Sequence, residues 1–115
     1  MSKYFDKELI DDIVSIVVSN TSATAQHADE LSKIIEDEIA NKVKKIIVDL
    51  SQCKFIDSIF LGALIYASKE MKETSGQMRI VAPTKLPQEL LSIPTTLHLL
   101  EVCKNREEAI NSFIS

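Results

Sequence analysis

Two glycines, three prolines and two cysteines in 115 residues close off several kinds of protein before any motif is read. Gly62 and Gly76 cannot build the glycine-rich loop whose amides cradle a nucleotide phosphate. Cys53 and Cys103 lie far apart in sequence, with neither CxxC spacing nor the density of a secreted disulfide framework or zinc site, so reduced thiols in a cytoplasm are expected. His27 and His98 have no second His or Cys at metal spacing; they are expected to be surface or half-buried residues, and neither a metal nor another cofactor is expected. No apolar run approaches the roughly 20 residues that cross a bilayer, and Met1 to Asp12 has no signal-peptide pattern, so direct membrane insertion and export by these routes are not expected. Basic residues are outnumbered 13 to 17, and no basic stripe interleaves with aromatics. A chain of net charge −4 repels a phosphate backbone, which argues against nucleic acid as a partner. A hydrolase is disfavoured as well, because there is no G-x-S-x-G elbow and no base evident for a serine nucleophile.

What remains is a chain 45% hydrophobic and long enough for one packed core without staples, so a single domain over residues 1–115 is expected. Tyr4 to Leu9 and the β-branched run Ile13 to Val18, separated by Asp11-Asp12, predict an opening hairpin. After the polar stretch Ser19 to Thr24, Ala28, Leu31, Ile35 and Ile39 recur at helical spacing, with Glu36, Asp37 and Glu38 read as a solvated face. Lys44 to Leu50 reads as a strand covered on both faces. From Ile59 to about Glu73 a helix presents Leu61, Leu64, Ile65, Ser68 and Met71 on one face, with Gly76 just past its end. Met78 to Ala82 is a further strand. A short helix around Gln88 to Ser92, a broken apolar stretch from Leu97 to Val102, and a helix from Arg106 to Phe113 capped by Asn105 complete the chain. Strands alternating with helices predict an α/β fold, a mixed central sheet of four to five strands with about four helices packed on it.

The chemistry concentrates at Asp57-Ser58, a polar pair between two apolar segments where a strand gives way to a helix. Serine or aspartate there is an N-cap signal. The hydroxyl of Ser58 is expected near the surface and at the positive end of a helix dipole, where an added phosphate is tolerated. Asp57 reads as a hydrogen-bond partner at the strand end. Cys53, in the apolar approach to this pair, reads as buried packing.

The segment KKIIVDLSQCKFIDSIFLGAL resembles the STAS domain, specifically the strand, loop and Asp-Ser-x-Gly-Leu-Gly helix start of small bacterial anti-sigma-factor antagonists. Gly76 to Val81, Leu90 onward and Glu107 to Ile110 are similar to corresponding family stretches. The resemblance implies a non-enzymatic STAS-like domain that sequesters an anti-sigma factor/serine kinase, is phosphorylated by it, and is reset by a serine phosphatase. The phosphoacceptor maps to Ser58 and its companion carboxylate to Asp57. The loop holding Thr21, Ser22 and Thr24 maps to the family's partner-binding face. Ile59 and Phe60 stand where the family has a small polar residue and a glycine. With Leu61, Leu64 and Ile65 facing the core, Ile59 is expected near the rim beside Ser58 as apolar binding area, and Phe60 either joins it there or folds back onto the preceding strand.

Two other readings stay open. One is an unphosphorylated accessory STAS subunit of a transport or signalling assembly. The other is a receiver-like phosphorelay domain with Asp57 as phosphoacceptor, disfavoured because Ser19-Asn20-Thr21, rather than an acidic magnesium site, follows the strand ending at Val18.

Overall fold

The computed structural model describes residues 3–83 and 100–114. The predicted short helix around Gln88 to Ser92, and His98, lie outside the described residues.

The opening hairpin forms as expected. β1 (Phe5–Ile10) and β2 (Ile13–Val18) pair antiparallel with Ile10 opposite Ile13. Asp11 makes the turn at φ 53°, a left-handed conformation that aspartate tolerates better than most side chains. β1 is an edge strand whose middle residues are exposed and charged, Asp6, Lys7 and Glu8, which discourages pairing with another chain.

β2 then runs parallel to β4 (Lys45–Asp49), β4 to β6 (Gln77–Val81), and β6 to the short β7 (Val102–Cys103), giving a five-stranded mixed sheet in the order β1-β2-β4-β6-β7. Period-two alternation splits these strands between two cores. Val14, Ile16, Ile46, Val48, Met78 and Ile80 face α1 (Ala25–Ala40) and α2 (Ser58–Glu73). Ile13, Ile47, Val81 and Cys103 meet Ala109 and the flanking Ile110 and Phe113 of α3 (Arg106–Ile114) on the other side. β4 is thus covered twice, which is why it reads as an unbroken apolar run. Asn105 caps α3 as expected, its Oδ1 accepting from the Glu108 N–H at 2.8 Å.

Three local expectations need correction. Glu38 is buried, and its carboxylate pairs with Lys7 at 2.6 Å, tying α1 to the edge strand. A charge is buried there only because a cation reaches it. His27 is buried rather than on or near the surface. The core face of α2 is centred on Phe60, Leu64, Ala67 and Met71, leaving Leu61 and Ile65 at its margin. Gly76 lies just past α2 as expected, but it is not the left-handed residue there. Ser75 takes that role at φ 65°, and the Ser75 and Gly76 amides close back on the Lys72 and Met71 carbonyls. Gly76 is small for another reason: a Cβ there would come within 2.7 Å of Met71 Cε and 3.2 Å of the Lys44 carbonyl.

Candidate functional site

The polar stretch after β2 is not a plain loop. It contains β3 (Ser22–Ala23), which pairs in parallel with β5 (Phe55–Ile56), the segment that follows β4. β2 and β4 are neighbours, so each extends past the sheet into one of these short strands, and each short strand leads directly into a helix. The N-termini of α1 and α2 are therefore brought side by side. Main-chain bonds lace the two segments: Lys54 and Phe55 N–H donate to the Thr21 carbonyl, and Asp57 N–H donates to the Ala23 carbonyl at 3.0 Å.

Asp57, not Ser58, is the N-cap of α2, and Ser58 is the first helical residue. The backbone of Asp57 is extended, and its Oδ1 accepts from the Phe60 N–H at 2.8 Å. Its Oδ2 accepts from the Ala25 N–H at 2.8 Å, the first amide of α1. One carboxylate thus satisfies otherwise unpaired donors of two helices. Foremost the Phe60 amide, then the Ala25 and Ile59 amides and the His27 ring, hold the Asp57 carboxyl below the ordinary carboxylate range against some desolvation. With both oxygens engaged by main-chain N–H groups, Asp57 is a cap and a tie, and it is poorly suited to act as a general base.

The Ser58 side is open to solvent. Ser58 and Ile59 are exposed, Ile59 at 59%, and Phe55 beside them is exposed at 56%. Phe60 does not join Ile59 at this rim. It is fully buried, because the third residue of α2 turns inward onto the sheet and packs in the core with Leu64 and Met71. Of the residues expected to meet a partner, the site brings together Ile59 and the loop residues Thr21, exposed, and Ser22 and Thr24, half-buried. Thr24 caps α1 in a variant box: its N–H donates to His27 Nδ1 at 3.2 Å, and the imidazole in turn meets the Tyr4 ring edge-on at 4.5 Å.

Sequence reasoning missed β3, the Ala25 amide and the exposed face of α2. A two-residue strand carries no periodicity, and a backbone donor has no side-chain signature. The third had a readable signal, since Ile59, Gly62 and Tyr66 follow helical spacing off the core face.

Other features place chemistry elsewhere or nowhere. Burial raises the Cys53 thiol to about 11, and Cys103 is pushed up by the same cause, so neither is a ready thiolate. Among the described residues no group of three or more His, Cys, Asp or Glu side chains could hold a metal, and no helix is long and apolar enough to cross a membrane. A crevice of about 530 Å³ lined by Asp49, Ser51, Pro83, Lys104 and Arg106 lies at the C-terminal ends of β4 and β6, and Ser58 is not among its lining residues.

Comparison with known proteins agrees with this geometry. The family model for the STAS domain matches residues 4–109. A Thermotoga neapolitana protein described as an anti-sigma factor antagonist homologue is 27% identical over 107 residues, covering 92% of this chain and 94% of its own. The crystal structure of a Thermotoga maritima protein described as an anti-sigma factor antagonist superposes with a TM-score of 0.81 at 23% identity, covering 98% of this chain and 97% of the other. The phosphorylated form of SpoIIAA, a Bacillus cell fate determinant, superposes at 0.71 with 17% identity over 95% of this chain and 98% of its own. With the sheet order, the paired helix starts and a family match spanning nearly its whole length, the chain belongs to the STAS domain family.

Proposed function

We propose that this chain is an anti-sigma-factor antagonist, a binding protein of the cytoplasm whose association with an anti-sigma factor/serine kinase is switched off by phosphorylation of Ser58. The observation that carries the reading is the exposed Ser58 hydroxyl at the first position of α2, beside a carboxylate whose acceptors are already engaged. The antagonist description of the Thermotoga neapolitana relative supports it.

The electrostatics work in one direction. A phosphoserine carries roughly −1.5 to −2 charge near neutral pH. At an exposed helix N-terminus the dipole favours it by only about 0.3 to 1 kcal/mol, so the scaffold is kept rather than remodelled. In an interface the same group has to be desolvated next to the Asp57 carboxylate, and residues 56–60 contain no Lys or Arg to neutralise it. Phosphate therefore vetoes association, and a serine phosphatase restores it.

The test is recovery of partners from the source cells with tagged wild type and Ser58→Asp, with phosphosite mapping of the native protein. The reading expects an anti-sigma factor retained by wild type and lost from Ser58→Asp, and phosphate on Ser58 in a fraction of the cellular pool. Equal retention by the two forms sinks the switch. Stoichiometric recovery of membrane-transporter subunits with an unmodified Ser58 would replace it with the accessory-subunit reading.

A further inference from the structure

The two glycines of this chain sit in opposite surroundings. A Cβ at Gly76 would press on Met71 Cε and on two backbone carbonyls, whereas a Cβ at Gly62 meets no described residue within 4 Å. Gly62 is an exposed residue inside the 16-residue α2, and its φ is not positive. Glycine in a helix interior is less stable than alanine because it loses more backbone freedom on folding. Among the described residues, neither conformation nor packing asks for it. The physical use of glycine that remains among them is close approach of another group.

The neighbours of Gly62 say what kind of group. At 100° per residue, Ile59, Gly62, Tyr66, Glu70 and Glu73 fall on one face of α2. Ile59 and Tyr66 are exposed at 59% and 60%, so they stand as apolar walls on either side of the notch at Gly62. One to two turns further on, the same face carries Glu70 and Glu73 with the exposed Lys69 beside them, and Glu36 of α1 adds a third carboxylate. Burial, then the charges of Glu36 and Glu73, push the Glu70 carboxyl above its ordinary range, a sign that the three carboxylates share one field. The face begins at the helix start that carries Ser58.

We propose that this face selects the partner: it takes a segment of the anti-sigma factor that lowers an apolar side chain into the notch at Gly62, between Ile59 and Tyr66, and sets a Lys or Arg against Glu70 and Glu73. At 1.5 Å per residue those two points lie roughly 12–16 Å apart along the helix, which fixes the spacing of the partner's apolar and basic groups. The inference rests on the antagonist reading and adds to it the chemistry that decides which anti-sigma factor fits. Fully desolvated apolar anchors supply affinity, and the flanking charge supplies register and on-rate.

Two measurements test it. In thermal unfolding of the free chain, Gly62→Ala is expected to raise Tm by about 3–6 °C. A fall in Tm would mean the fold itself requires the glycine, and the inference would be wrong. The second is calorimetric titration of each variant against the purified anti-sigma factor that wild type retains. Gly62→Leu, Ile59→Ala and Tyr66→Ala are each expected to weaken binding at least tenfold, and Glu70→Lys to slow association, while Leu9→Ala, at an exposed apolar residue on β1, leaves affinity unchanged. If Gly62→Leu binds like wild type while Ser58→Asp does not, the notch is refuted and the switch stands. If Ser58→Asp binds like wild type and Gly62→Leu does not, the switch falls and the notch stands. If wild type binds no anti-sigma factor, or Gly62→Leu instead abolishes a dimer of this chain, the proposed partner is wrong.

Discussion

Ile59 and Phe60 are adjacent and apolar, yet the rotation of about 100° from one helical residue to the next separates a residue for the outside from a residue for the inside. Phe60 is fully buried and Ile59 is 59% exposed. Phe60→Ala is expected to cost about 3–5 kcal/mol in urea unfolding, whereas Ile59→Ala changes stability by less than about 0.5 kcal/mol. Comparable losses at the two positions would show that the helix is rotated from the orientation described. Reading Leu61, Leu64 and Ile65 as the core face put Ile59 at the rim and left Phe60 there or folded back, because the helical spacing alone did not fix the rotation of α2. Which way each residue points depends on that rotation against the sheet, set by where Leu64, Ala67 and Met71 find room. Glu38 makes the same case from the polar side: its pairing with Lys7 spans 31 positions and has no local signal.

At the level of elements, helix ends carry much of the local specification. Both α1 and α2 finish with a non-glycine residue in the left-handed region, Lys42 at φ 64° and Ser75 at φ 65°. The Lys42 and Val43 amides close onto the Ile39 and Glu38 carbonyls, a geometry that favours glycine. Lys42→Gly is accordingly expected to raise stability by about 0.5–1 kcal/mol, and Gly76→Ala to lower it through the clash with Met71 and the Lys44 carbonyl, both read as shifts of the urea midpoint. Opposite signs are required; a stabilising Gly76→Ala would show that Met71 yields freely. Asp57 governs the other ends. Its folded carboxyl titrates below the unfolded value of about 3.9, so its contribution is complete above that pH and is lost as pH falls through the lower folded value. Asp57→Ala is expected to lower Tm at pH 7 and to flatten its decline from about pH 4 downward. In Asp57→Asn, faster hydrogen exchange at Ala25 would report release of α1, because an amide NH₂ turned toward that N–H cannot accept from it. α1 and α2 were legible from helical periodicity, β2, β4 and β6 from short β-branched or apolar runs, and α3 from its Asn105 cap. β3 and β5 were not, since two-residue strands exist only because their partners are brought alongside.

For the molecule as a whole, a charge added at Ser58 has to be absorbed without unfolding if the site is to switch binding. The exposed position and the favourable helix end lead to the expectation that Ser58→Asp retains the wild-type circular dichroism spectrum and a Tm within about 3 °C. A cooperative loss of structure would mean that loss of binding reports unfolding rather than repulsion. The Asp-Ser junction, the alternation of strands and helices, and the absence of phosphate-loop, disulfide and membrane-span patterns were determined by the sequence alone, because each depends on residues within a few positions of one another. Only the tertiary structure decided that β2 and β4 lie side by side, that their extensions pair, and that one carboxylate therefore holds two helix starts together. It also decided which apolar residues of α2 face outward. Those outcomes depend on contacts between segments some 30 residues apart, whose energies arise only once the sheet has assembled.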